Sequence, residues 1–209
     1  ITNVSAGWVE APSLPSNRWH HGSAISGGKL YVLGGNDSAS VIRPQAWMLD
    51  LDDPGAGWTN LPNMPKALIN LAAFGVDEKI WQVGGYSNGD QNMTSWLDTE
   101  NLDAGWQAGP ALPTPRAGNG AAWNGVLYLV GGMAGGSYGT SCVSFDAFSG
   151  TNWNTFSGLP SSSSSMDAVA APHGRLYRLA SYMYHTLNLA TPENGWSVAS
   201  NLPNGSLRE

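Results

Sequence analysis

The chain of 209 residues repeats itself: KLYVLGG, KIWQVGGY and VLYLVGGM recur along it, followed by a weaker copy, RLYRLASY. The aromatic at the centre of each copy falls at Tyr31, Trp81, Tyr128 and Tyr177, with steps of 50, 47 and 49 residues. A second marker, a tryptophan before a Leu-Pro or similar turn, falls at Trp8, Trp58, Trp106, Trp153 and Trp196, with steps of 50, 48, 47 and 43. Two markers keeping one period of this size mean that the same supersecondary unit is built four times, each copy burying its faces against its neighbours.

Each unit divides into four short strands separated by turn residues. In the first, GSAIS, KLYVLG, AWMLDL and GWTNL are the inner, second, third and outer strands. The expected sheets cover 22–61, 70–110, 118–157 and 166–200, with one additional outer strand at about 7–11. The double glycines Gly34-Gly35, Gly84-Gly85 and Gly131-Gly132 lie where neighbouring sheets crowd together. The aromatics supply large area between sheets. The fourth unit departs from the pattern, with Ala180-Ser181 in place of the glycines and five serines at 161–165, so its second strand is expected to end differently.

Composition agrees with a turn-rich all-β chain: 27 Gly, 13 Pro and 10 Trp accompany a charged fraction of 11%, against roughly 25% in an ordinary soluble domain. The net charge of −6, with no Lys/Arg cluster, removes the main source of affinity for phosphate backbones, so no nucleic acid is expected. No apolar run approaches the roughly 18 residues of a membrane span, so no membrane insertion is expected. The single Cys142 cannot form an internal disulfide and is expected to be a buried hydrophobe.

The hydrophobic run, aromatic, double glycine and later tryptophan together resemble the kelch family over nearly the whole chain. The resemblance implies an all-β, kelch-type β-propeller with four four-stranded antiparallel blades plus the extra N-terminal outer strand, part of a six- or seven-bladed ring. About two blades are therefore expected from a longer chain or a second molecule, because an unpaired sheet edge invites association.

On such a fold the loops between blades, and those joining second to third strands, share one end, where ligand contacts are expected. LPSNRWHHG (14–22) brings Arg18, Trp19, His20 and His21 together. Adjacent histidines on extended chain face opposite ways, so only one is expected to face the central funnel, and no metal site is expected. Arg116 and Lys66 recur near the place of Arg18, a partial ring of positive charge that could clamp a carboxylate or tie loops together. Asn36, Asp37 and Arg43, then Tyr86, Asn88 and Asp90, then Met133 and Tyr138, and finally Tyr182, Tyr184 and His185 occupy the second-to-third loops. Aromatics beside amides and carboxylates suit sugar stacking and hydroxyl recognition. GGMAGGSYG (131–139) is expected to be a loop. The ligand-binding set is thus Arg18, Trp19, His20, Asn36, Asp37, Tyr86, Arg116, Asn119, Tyr182 and Tyr184.

No catalytic residue and no cofactor is assigned, since no strained Ser turn is linked to a His and an acid. The leading expectation is an extracellular or cell-surface scaffold that binds a protein or glycan. The sequons at Asn3, Asn36, Asn92 and Asn204 are its candidate glycosylation sites. The alternative, implied by other kelch propellers, is a carbohydrate-active enzyme resembling the sialic acid mutarotases or galactose oxidase.

Overall fold

The computed structural model describes residues 10–162, 168–180 and 183–201. Four antiparallel sheets follow one another along the chain. The first holds β1 (Gly22–Ser26), β2 (Lys29–Leu33), β3 (Ala46–Asp50) and β4 (Trp58–Leu61). The second holds β5 (Ala72–Val76), β6 (Lys79–Val83), β7 (Thr94–Asp98) and β8 (Gln107–Ala108). The third holds β9 (Ala117–Trp123), β10 (Val126–Ala134), β11 (Ser137–Tyr138), β12 (Cys142–Asp146) and β13 (Asn154–Phe156). The fourth holds β14 (Ala168–Ala170), β15 (Arg175–Ala180), β16 (Met183–Asn188) and β17 (Ser197–Asn201). Of the extra strand expected at 7–11, residues 7–9 lie outside the described residues and 10–11 are not in a strand.

Within each sheet the third strand ends in the same device. Asp50, Asp98, Asp146 and Asn188 each turn a side-chain oxygen onto the main-chain N–H two residues on, at 2.9–3.0 Å. This Asx turn reverses the chain toward the outer strand.

The inner strands β1, β5, β9 and β14 lie side by side in that order, so the sheets radiate from a shared axis. Alternation along each strand then sends side chains into the spaces on either side. Three apolar clusters fill these spaces. Tyr31, Leu33, Leu68 and Ile80 lie between the first and second sheets. Phe74, Trp81, Leu127, Phe145 and Trp153 lie between the second and third. Val130, Cys142, Leu176 and Leu187 lie between the third and fourth. In the middle cluster the rings of Trp81 and Phe145 meet edge to face at 5.4 Å, which locks the two sheets in register. The arrangement is that of β-propeller blades.

The glycine pairs are required by close approach. Gly84 has φ +59°, and a Cβ there would lie 2.3 Å from the Arg116 carbonyl of the next blade. Its neighbour Gly85, at φ +104°, donates its N–H to that same carbonyl at 2.9 Å. Any side chain would push the blades apart.

Two expectations are corrected. The stretch 131–139 is an ordered hairpin, not an open loop: Met133 pairs with Tyr138 and Ala134 with Ser137 across Gly135-Gly136, at φ +59° and +79°. Two consecutive left-handed residues are the two-residue turn that matches strand twist. In the fourth blade, Tyr184 and His185 lie inside β16 and not in a loop, since Ala180 already pairs with Met183. Among the described residues no helix is long and apolar enough to cross a membrane.

Candidate functional site

The connections at one end of the first three blades are organised by main-chain pairing. Trp19 and Asn36 exchange N–H···O bonds at 3.2 and 3.0 Å, and Asn36 also bridges to Ile42. In the second blade Ile69 and Tyr86 exchange bonds at 3.1 and 2.8 Å, and Tyr86 bridges to Asp90. In the third, Met133 pairs with Ala117 on one side and Tyr138 on the other. Directly paired residues on antiparallel chains carry their side chains on one face. The loop face is therefore three equivalent rows: Trp19–Asn36–Ile42, Ile69–Tyr86–Asp90 and Ala117–Met133–Tyr138. Each row leaves one ring in water, Trp19 at 38% exposure, Tyr86 at 36% and Tyr138 at 40%.

The rows are stitched together at the inner rim, where Asn70 N–H donates to the His20 carbonyl at 2.8 Å and Gly118 N–H to the Asn70 carbonyl at 3.2 Å. His20 is held at φ +57° and its ring is exposed. It is His21 that lines the axial cavity, with Ser23, Ala73, Asn119, Gly120 and Val169. The cavity measures about 240 Å³. That is less than the roughly 300–1,000 Å³ of ordinary ligand pockets, so the exposed rows offer more to a partner than the axis does.

The expected ring of positive charge is turned inward. Arg18 donates to Gln45 Oε1 at 3.0 Å, to the Asn17 carbonyl at 2.8 Å and to Ser16 Oγ at 3.1 Å, and it lies over the Trp47 ring. Arg116, only 4% exposed, donates to the carbonyls of Ser141 at 2.8 Å and Gly131 at 3.3 Å, and to Ser141 Oγ at 3.2 Å. Burial pulls its pKa below the usual guanidinium range, although the charge stays. In the second blade the equivalent position is the buried Leu68. Lys66, two residues earlier, donates to Gln91 Oε1 at 2.6 Å instead. Of the two roles expected for Arg116, a carboxylate clamp or a loop tie, the structure shows the tie, between a blade's entry loop and its second-to-third connection.

Asp37 is likewise engaged within its own loop. It accepts from the N–H groups of Val41 and Ala39 at 3.0 Å and from Arg43 at 2.6 Å. The Val41 bond first, then Arg43, holds its carboxyl below the usual range.

Asn119 lies in the axial cavity and is engaged there. Tyr184 sits away from the rows, stacked on Tyr177 at 5.7 Å. Tyr182, Asn3 and Asn204 lie outside the described residues. Of the sequon asparagines within the described residues, Asn36 is 8% exposed and Asn92 is exposed. Among the described residues no three His, Cys, Asp or Glu side chains come together as metal ligands.

No protein-family profile matches the chain. It is 33% identical over 144 residues to "Kelch-like protein 33" of Homo sapiens, covering 66% of this chain and 27% of that protein. It is 30% identical over 142 residues to "Beta-scruin" of Limulus polyphemus, 64% of this chain and 15% of that one. It is also 30% identical over 146 residues to "Kelch-like protein terF" of Aspergillus terreus, 64% of this chain and 32% of that one. The chain therefore spans less than a third of the length of these relatives. Among solved structures, "Structure of YjhT" superposes with a TM-score of 0.75 at 16% identity, over 93% of this chain and 68% of that chain. At that identity the likeness speaks to the fold alone.

Proposed function

The chain is a kelch-repeat β-propeller, and from that premise we propose that it is a binding scaffold whose loop face docks a protein partner. The observation that carries this reading is the three rows. Side chains exposed on irregular loops lose much entropy when a partner orders them, but Trp19, Tyr86 and Tyr138 stand on paired backbone. Large rings already fixed in place make efficient contact surface. The inward-turned Arg18, Lys66 and Arg116 leave the face aromatic and amide-like, as the centre of a protein interface commonly is.

A glycan is the second reading, favoured by the placing of the exposed Tyr86 directly beside Asp90 in one row. A site outside the cell belongs to both readings. It predicts a sugar on the exposed Asn92, and native protein with Asn92 unmodified counts against it.

Photo-crosslinking from position 19, 86 or 138, compared with Phe148, tests the proposal. Phe148 is 66% exposed and lies just after β12, at the opposite end of the blades. The expected result is one protein captured from the three loop-face positions and not from Phe148, with its binding lost in a Trp19→Ala/Tyr86→Ala/Tyr138→Ala variant. Equal capture from Phe148, or full binding by the triple variant, overturns it. Binding on a glycan array that the triple variant loses selects the second reading.

A further inference from the structure

The seam between the second and third blades brings together features that the rest of the loop face lacks. Asp90 stands beside Tyr86 in the second row. Its Oδ2 accepts the Gly135 N–H of the third blade's hairpin at 2.7 Å, and Tyr138 ends that hairpin. A carboxylate thus lies at a seam that carries two exposed tyrosines, Tyr86 beside it and Tyr138 at the end of the hairpin it holds. Its other oxygen, Oδ1, is buried and receives no hydrogen bond from the chain.

The first blade's loop also carries a carboxylate, Asp37, although Asp37 follows Asn36 whereas Asp90 takes the place of Ile42. There Asp37 is paired with Arg43, whose N–H donates to the Gly35 carbonyl. The residue making the same main-chain bond in the second blade, to Gly85, is Gln91. The cation supplied within the first loop is therefore replaced by a neutral side chain in the second. Lys66 gives its ammonium to Gln91 Oε1, and no cation of the described residues pairs with Asp90.

A shielded carboxylate oxygen without a donor is costly, and a charged donor is the group that best offsets it. Gly135 and Gly136 form an exposed turn tip, and no other group packs within 4 Å of where their Cβ atoms would lie.

We infer that this seam receives an arginine or lysine side chain of the docked partner, its cation on Asp90 and its stem or guanidinium plane between Tyr86 and Tyr138. The partner supplies a cation that the second blade's own loop does not bring to Asp90. Tyrosine faces favour a cation electrostatically, so the rings and the carboxylate act together. This rests on the docking reading above and specifies the partner's chemistry.

The minimal probe is N-acetyl-arginine N-methylamide, titrated into the isotope-labelled chain while the Gly135 amide is followed by NMR. A saturable shift at Gly135 and at the Tyr86 and Tyr138 ring signals is expected. N-acetyl-leucine N-methylamide should cause none. Asp90→Asn keeps an acceptor for Gly135 N–H and should abolish the response, whereas Glu100→Gln, at the opposite end of the blades, should keep it. An arginine probe that leaves Gly135 unmoved, or moves it equally in Asp90→Asn, overturns the inference.

With a captured partner, Asp90→Asn is expected to weaken binding at least about fivefold and to flatten its dependence on salt. A partner that needs Trp19 and Tyr86 yet binds Asp90→Asn as tightly as the parent sinks this inference and leaves the docking platform standing. Arginine-probe binding at Asp90 with no loop-face crosslink does the reverse.

Discussion

The indole N–H of Trp106 donates to the carbonyl of Pro62, 2.8 Å away in the connection that leaves the preceding blade. Trp58 does the same to Pro12, Trp153 to Pro110 and Trp196 to Ser157, each at 2.9 Å. The outer tryptophans are therefore latches, fastening each blade to the turn before it. Trp106→Phe keeps most of the ring and leaves the Pro62 carbonyl without its donor, for an expected loss of about 1–2 kcal/mol. Trp58→Phe, one blade away, should add to it within about 0.5 kcal/mol. Urea unfolding checks both. A midpoint unchanged in Trp106→Phe would show that the bond carries no weight.

Two glycines with positive φ separate backbone strain from crowding. Gly57 has φ +78° and open space where a Cβ would go, whereas Gly84 has φ +59° and the Arg116 carbonyl 2.3 Å from that point. Alanine at Gly57, where ψ is −170°, is expected to cost about 1–2 kcal/mol, the strain of a backbone conformation nearly reserved for glycine. At Gly84 the strain is joined by a clash between blades, and a loss of about 3 kcal/mol or more is expected, as for other overpacked sites. Chemical denaturation of the two variants gives the comparison. Equal losses would mean that the blades yield at this contact.

The sequence showed the blades because their markers are local and periodic: an aromatic at Tyr31, Trp81 and Tyr128, a glycine pair, and an outer tryptophan. Partners were harder to read. Arg116 satisfies main-chain carbonyls, which have no residue signature, so a buried tie and a ligand clamp look alike in sequence. His20 and His21 were expected to alternate as on an extended chain, but His20 is left-handed, which redirects the chain at the next residue and puts His21 on the axis. The hairpin ending in Tyr138 was hidden by its glycines, which serve a flexible loop and a two-residue turn equally well. The Asx turns at Asp50, Asp98, Asp146 and Asn188 recur at steps of 48, 48 and 42 residues, a local signal as periodic as the aromatic one.

Arg18 and Arg116 occupy equivalent places and should respond differently to removal. Arg116→Met strips donors from two carbonyls and a hydroxyl in a buried setting, and a loss of about 2–4 kcal/mol is expected. Arg18→Ala removes bonds near the surface and a contact over Trp47, for about 1 kcal/mol or less. Thermal unfolding at one pH and ionic strength ranks them. An Arg116→Met protein as stable as the parent would return that guanidinium to the groups free to bind a ligand.

Cys142 gives the fold an alkaline limit. Its thiol, 1% exposed in the cluster between the third and fourth blades, is pushed up to about 11 by burial, against the smaller opposing effects of main-chain bonds and of Arg116 and Arg178. In the unfolded chain the thiol ionises near its ordinary 9.0. Between those two values the unfolded state loses the proton first. Stability from this group is therefore intact below about pH 9 and falls as pH rises, by roughly 2–3 kcal/mol near pH 11. Tyr31 and Tyr128, also raised by burial, add a similar slope at higher pH, so the group is isolated by difference. Cys142→Ala is expected to be less stable than the parent at pH 7, because a small cavity opens, but to lose stability more slowly between pH 9 and 11. Parallel slopes for the two proteins would mean that the thiolate is accommodated in the fold. At pH 8 a thiol reagent is expected to modify the buried thiol of the native parent only as fast as the blades open.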